Sequence, residues 1–308
     1  MTSIACLQFL TYFSILFFVS GSIAKAIRYG RQPLHLRWEL YPIGHQVGHE
    51  TKGSYLGSLD WRTRQLHRNF WREIAYMATE IFLFKKLYYG NKGLWYFTFL
   101  FHTGLFLLVS WILLLLIGAL IVPHLKSTTE LSLAEVQIIL HMTIVTGVAG
   151  FVFSIAGCIG LLLRRIFNVN LRAYMAPAQY FNLSFILAIL LSGLYSWYFY
   201  DPAFNIAREF VRSLIVFGPV ANMNPAMSIG IVLLSLFLVY VPFTTMMHGL
   251  AKYFTYHRVL WDDLPNLCGT DIEKKIGKLL NQPIGWSARH IQSVERWSDI
   301  MSGGNKTR

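Results

Sequence analysis

Charge is what this sequence has least of. Only 14% of its 308 residues are Asp, Glu, Lys or Arg, against about 25% in an ordinary soluble domain. Hydrophobic residues make up 55% and mean hydropathy is +0.45. That balance excludes an ordinary cytosolic enzyme, a disordered chain and a coiled coil. Cysteine is scarce too. Cys6, Cys158 and Cys268 form no CxxC pair, which excludes a disulfide framework, a zinc ribbon, an iron–sulfur ligation run and a covalent CxxCH haem site. The net charge of +12 suits nucleic acid or a membrane surface, and the distribution of the charges decides for the membrane.

No Asp, Glu, Lys or Arg occurs in residues 1–24, 93–125, 136–163, 173–200 or 213–251. Crossing the hydrocarbon core takes about 20 helical residues, so each run holds one crossing. The longest run contains Gly218, Pro219, Asn222, Asn224 and Pro225, which end a helix. Its single span is placed at 226–251, behind a short outer segment. The first run lacks a basic stretch ahead of Ile4–Val19 and passes smoothly into Lys25 and Arg28, so it reads as a retained helix rather than a cleaved signal.

Lys and Arg number 24 in segments 25–92, 164–172 and 252–308, against 3 in the alternate loops. By the positive-inside rule the N-terminus is outside and the C-terminus cytoplasmic. The expected fold is an all-α integral membrane protein with five transmembrane helices. Its parts are a first helix at 1–26, a long amphipathic cytoplasmic segment at 27–92, a four-helix membrane domain at 93–256 and a cytoplasmic tail at 257–308. Within the second part, Phe70, Ile74, Met77, Ile81 and Phe84 recur at helical spacing and predict an amphipathic helix over Trp61–Lys86. No nucleic-acid role is needed to explain the basic surplus.

Ten histidines carry the chemistry. His35, His45, His49, His67 and His290 fall in cytoplasmic segments. His102, His141 and His248 lie inside charge-free runs, where an ionisable side chain marks function by default. His102 is seven residues past the interfacial pair Trp95–Tyr96, about 10 Å deep, and His248 is four residues before Lys252, about 6 Å from the same face. Matched depth suits one bis-histidine b-type haem between the second and fifth spans. It equally describes two hydrogen-bonded histidines in a transporter or scaffold. Gly104 and Gly249 would leave room for the flat macrocycle, and Arg164 with Arg165 could neutralise its propionates. His257, nine residues beyond His248, points away from that site and suits an interfacial or partner contact. His141 is about 9 Å below the outer surface, with His124 the other outer histidine. It is open to a second haem, a quinone contact or a structural role. The stripe Gly147, Gly150, Ser154, Gly157 and Gly160 suits either close helix packing or a ring laid against it.

PFTTMMHGLAKYF (242–254), FHTGL (101–105) and GLLLRRIFNVNLRAYMAPAQYFNLSFIL (160–187) resemble segments of respiratory nitrate reductase gamma subunits. That resemblance implies haem b on His102 and His248. The family's second haem takes a ligand about ten positions after the first; Ile112 stands there, and Gly230 stands near its fifth-helix partner. LRWELYP (36–42), YFTYHRVLWDDLPN (253–266) and WSARHI (286–291) are similar to family variants of sulfate reducers and related anaerobes. There the cytochrome b subunit sits over a cytoplasmic iron–sulfur subunit of heterodisulfide-reductase type, often with an outer multihaem cytochrome c. The resemblance therefore implies an electron-transfer subunit between a quinone of menaquinone type and that partner. The competing class, a transporter, usually shows repeats or interrupted helices, which this sequence does not.

Overall fold

The computed structural model describes residues 2–32, 59, 69–124, 133–219, 223–257, 267–288, 291 and 294–302. Their regular secondary structure is helical apart from isolated bridges in the tail. In chain order the helices are α1 (Thr2–Gly30), α2 (Phe70–Phe82), α3 (Lys85–Gly90), α4 (Lys92–His124), α5 (Leu133–Phe167), α6 (Val169–Ala173) and α7 (Pro177–Phe199). They continue as α8 (Asn205–Val216), α9 (Pro225–Tyr240), α10 (His248–Thr255), α11 (Asp271–Leu280) and α12 (Trp297–Met301). Five segments are long and apolar enough to cross a membrane: Ile4–Gly30, Lys92–Ile121, Glu135–Phe167, Pro177–Phe199 and Pro225–Phe243. The chain is a multi-pass, all-helical membrane protein. It forms two compact units, Met1–Gly21 with Ala78–Thr244, and Ser22–Met77 with Thr245–Arg308.

The first unit is organised around the antiparallel pair α4 and α5. Each small residue of α5 receives one side chain of α4: Gly147 takes Trp111, Gly150 takes Leu108, Gly157 takes Phe101 and Gly160 takes the Phe97 ring. Advance along α5 is matched to within one residue by descent along α4, 13 positions against 14 from Gly147 to Gly160, as a ridge-and-groove contact requires. Lipid offers no hydrophobic drive between helices, so close backbone approach supplies the attraction. This settles the small-residue stripe as packing. It also corrects Gly104: a Cβ there would meet the backbone nitrogen and hydroxyl of Ser154, so that space belongs to α5 and not to a macrocycle.

α7 packs against α5 and α9. The Tyr240 hydroxyl donates to Asn182 Oδ1 at 2.9 Å, and the Cys158 thiol to the Leu183 carbonyl at 3.3 Å. One buried cluster, Leu115, Phe151, Leu190 and Phe204, lies toward α8. The other, Phe101, Cys158, Leu161 and Leu183, lies toward Arg164. These define an α8 end and an Arg164 end of the unit.

α8 is a helix that the sequence reading does not place. Asp201, 5% exposed, starts it by accepting from the Asn205 N–H at 2.7 Å and the Ala207 N–H at 2.9 Å, which satisfies two of the four orphan donors of a helix start. Its inner face buries Arg208, 7% exposed, whose Nη1 donates to Asn205 Oδ1 at 2.8 Å. Burial pulls this guanidinium below its ordinary range, and the nearby Asp201 carboxylate opposes that shift. α1 joins the same end: Gln8 Nε2 donates to Ser213 Oγ at 3.0 Å and the Tyr12 hydroxyl to the Leu214 carbonyl at 2.6 Å. Asp201→Ala should therefore cost more than an ordinary cap, about 3 kcal/mol, because it also strands a buried cation. Thermal unfolding in detergent checks this. A loss no greater than that of an exposed Asp299→Ala control would remove the Asp201–Arg208 account.

Two predicted helices end differently. The amphipathic helix expected over Trp61–Lys86 is split, because Phe84 adopts φ 52° and separates α2 from α3; residues 61–68 lie outside the described residues. The fifth span, expected over 226–251, stops as an α-helix at Tyr240. Pro242 follows, and two 3₁₀ turns, Val241–Phe243 and Thr245–Met247, lead into α10. A proline ring inside a helix removes one bond and displaces the preceding turn.

In the second unit α2 is tied to α10. Glu73 and His257 are hydrogen-bonded, Tyr253 stacks on His257 with centroids 4.1 Å apart, and Tyr76 meets the buried Tyr256 edge-on at 6.1 Å. His257, expected at the interface or against a partner, is engaged here within the chain. Both members of the pair are about a quarter exposed, so solvent screens it. A double-mutant cycle with Glu73→Gln and His257→Gln should give a coupling of about 1 kcal/mol; a coupling of zero would reduce the pair to a packing contact.

Candidate functional site

His102 sits on α4 one position past Phe101, so it faces away from the α5 contact by about a quarter turn. Its ring is half-buried. The segment before α3 covers it, with the Phe84 ring 4.8 Å away and Phe101 edge-on at 5.3 Å. One turn on, Phe82 meets Phe106 at 5.2 Å. His102 Nδ1 lies 2.8 Å from the Thr98 carbonyl. A carbonyl only accepts, so Nδ1 carries the hydrogen and Nε2 carries the lone pair.

His248 belongs to the second unit and opens α10. Its Nδ1 lies 3.1 Å from the Thr245 carbonyl, which selects the same tautomer. The residue is exposed, and nothing stands within 4 Å of where a Gly249 side chain would begin. Pro242 is the reason His248 heads a short helix instead of continuing a long one. Both imidazoles thus meet the chemical requirement of an axial haem ligand: a basic Nε2, with Nδ1–H anchored on a backbone carbonyl. Taken one at a time, each donor suits haem iron. Thr98 and Thr245 act through their carbonyls, which carry no side-chain signal, so the sequence does not reveal them.

The two arginines divide. Arg164 lays its guanidinium against Gly93 in the first turn of α4. Arg165 Nη1 donates to the Gln179 carbonyl at 3.4 Å, and the Tyr180 hydroxyl donates to the Arg165 carbonyl at 3.0 Å. Arg165 therefore ties the end of α5 to the start of α7. His141 is exposed on α5 with Nδ1 2.7 Å from the Gln137 carbonyl, while Thr143, fully buried, faces the bundle. The histidines at 35, 45, 49, 67 and 290 lie outside the described residues. Among the described residues no three His, Cys, Asp or Glu side chains gather as a metal cluster.

The profile described as nitrate reductase gamma subunit matches residues 79–261, more than half of the chain. The chain belongs to the nitrate reductase gamma subunit family. Its similarity extends to two proteins named Hdr-like menaquinol oxidoreductase cytochrome b-like subunit. One, from Archaeoglobus fulgidus, is 26% identical over 276 residues, covering 82% of this chain and 78% of the relative. The other, from Archaeoglobus profundus, is 24% identical over 279 residues with the same coverage. The matched region of this gamma-subunit chain contains both His102 and His248. It also contains Ile112, 43% exposed, and Gly230, where a Cβ would lie 2.9 Å from Ser192 Oγ. Neither position offers a ligand for a second haem.

Proposed function

We propose that this chain is the membrane-embedded cytochrome b subunit of a quinol-linked redox complex, with His102 and His248 as the axial ligands of one haem b. What supports the reading best is the family match across both histidine motifs, joined to relatives whose names are those of menaquinol oxidoreductase cytochrome b-like subunits. When bound, the haem supplies one-electron transfer. The chain's own residues do the rest. The carbonyls of Thr98 and Thr245 hold each ring in the ligating tautomer. Phe82, Phe84 and Phe106 lie over the His102 side, and burial is one of the protein's levers on a haem's potential. Arg164 stands as the counter-charge for the propionates, with Arg165 fixing the same end of α5.

The basic segments 25–92 and 252–308 fit the cytoplasmic side. They form the platform for an iron–sulfur subunit of heterodisulfide-reductase type, and an outer multihaem cytochrome c is the partner on the other face. A haem held by His102 and His248 would supply electron exchange between the membrane quinone pool and those partners. The test is reduction of the purified, haem-loaded chain by a menaquinol analogue in liposomes. Reduction seen as a b-type absorption change supports the proposal; a chain that carries haem but ignores quinol contradicts its quinone arm.

A further inference from the structure

IFLFKKLYYGNKGLW (81–95) carries three lysines and no carboxylate, and it runs into the span that begins at Lys92. In the first unit this stretch folds back along α4. Tyr88, Trp95 and Tyr96 form a band, with centroids 5.0 Å apart from Tyr88 to Trp95 and 5.2 Å from Trp95 to Tyr96, and Lys92 Nζ stands 5.3 Å over the Tyr88 ring. Amphipathic rings and a lysine at one level are what the headgroup region of a bilayer selects. The Phe84 and Phe82 rings reach past that band. Phe84 meets His102 and Phe82 meets Phe106, residues seven and eleven positions beyond Trp95, or about 10 and 16 Å along the helix. The hydrocarbon core is about 15 Å deep from either side, so both rings end within it. Yet Phe82 is 53% exposed and Ile81 36%. At that depth the medium is acyl chain, and a water-soluble partner has no access.

The backbone is prepared for lipid as well. Phe84 turns the chain at φ 52°, and the groups freed around the turn find partners. The Leu83 N–H donates to the Thr79 carbonyl at 3.1 Å, Trp95 Nε1–H to the Leu83 carbonyl at 2.7 Å and the Tyr88 N–H to the Phe84 carbonyl at 3.0 Å. A broken helix is tolerated at membrane depth only where its backbone is satisfied in this way; a turn facing water has no need of an indole for its carbonyl. Three lysines without a carboxylate suit anionic headgroups above the turn. We propose that Ile81–Phe84 is a wedge inserted into the acyl chains of the leaflet at the Arg164 end, with α3 lying at headgroup level above it. The wedge takes this stretch out of the platform proposed for segment 25–92. It rests only on α4 crossing the membrane, and on neither haem nor quinol.

The test reads depth by spin-label power saturation on the full chain, purified without partners, in nanodiscs of phosphatidylcholine and phosphatidylglycerol. Cys6→Ser and Cys268→Ser remove the exposed thiols, and Cys158 is fully buried. Single labels go at Phe82→Cys, at Val109→Cys on the exposed side of α4 as the lipid standard, and at Lys275→Cys on exposed α11 as the water standard. The label at 82 should match that at 109 in oxygen accessibility within about twofold, and fall about tenfold below that at 275 toward a polar nickel chelate. Ile81→Cys carries the same expectation should Phe82→Cys not fold. A label at 82 as open to nickel as the one at 275 would mean a surface facing water, free for a soluble partner, and would overturn the wedge. A label closed to oxygen and nickel alike would mean a protein contact, such as a second copy of the chain, and would overturn it too. Haem does not enter the readout, so a chain that shows the expected depth but no haem spectrum defeats the cytochrome reading and leaves the wedge standing.

Discussion

Replacing His102 or His248 with Ala should strip the haem from the purified chain, reducing b-type absorbance to below about a tenth of the parent value. A low-spin haem needs both axial bonds, and even losing a partner that only orients a ligand costs roughly 10–100-fold in metal affinity. Removing the ligand itself is more severe. The fold should survive at both positions. His102 lies off the α4–α5 seam, and His248 heads an eight-residue helix beyond the last span. Circular dichroism and a monodisperse elution profile would register that survival. His141→Ala is the control and should retain the haem. Full haem in either axial variant would redirect the search to other histidines.

A large structural effect is expected at Gly157. A Cβ there collides with the backbone nitrogen and Cα of Phe101, atoms that cannot rotate aside. Gly157→Val should destabilise the α4–α5 pair by about 3 kcal/mol or more. Gly160→Ala meets only the Phe97 ring, which can swing, and should cost about 1 kcal/mol. Gly249→Ala meets nothing within 4 Å and should be neutral. Thermal unfolding in one detergent ranks the three. Equal midpoints for Gly157→Val and Gly249→Ala would mean that the seam does not hold the bundle together.

The five spans are legible in the sequence because charge is costly in lipid, and its absence over two dozen or more residues leaves a helix as the only satisfied backbone. Where chains bend or lie flat, the signal weakens. Pro242 sits inside the PFTTMMHGL motif, and reading that stretch as a ligand motif hides its effect as a helix breaker. α8 carries Arg208, Glu209 and Arg212, so a search for charge-free runs passes over it. Only Asp201 ahead of Asn205 marks its start. The break at Phe84 has neither Gly nor Pro to announce it. Packing is legible only as a pair of alternatives. Gly104 and the α5 stripe suit a helix or a flat ring equally until the facing side chains are known, and Ser154, Phe101 and Leu108 decide for the helix.

At the site, residue types are readable and their tautomers are not. His102, His141, His248 and His257 all place Nδ1 on a backbone carbonyl three or four residues earlier, an arrangement set by helix geometry and not by neighbouring side chains. What separates them is the second nitrogen's surroundings. His257 is turned to Glu73 and so serves to dock α2. His102 lies under Phe84, and His141 is exposed on α5.

The central claim is that this chain holds a haem b on two histidines, and a dithionite-reduced minus oxidised spectrum of the purified protein tests it most directly. The account predicts a low-spin b-type α-band with about one haem per chain, lost in both His102→Ala and His248→Ala. A featureless difference spectrum from folded, haem-supplied protein would contradict it.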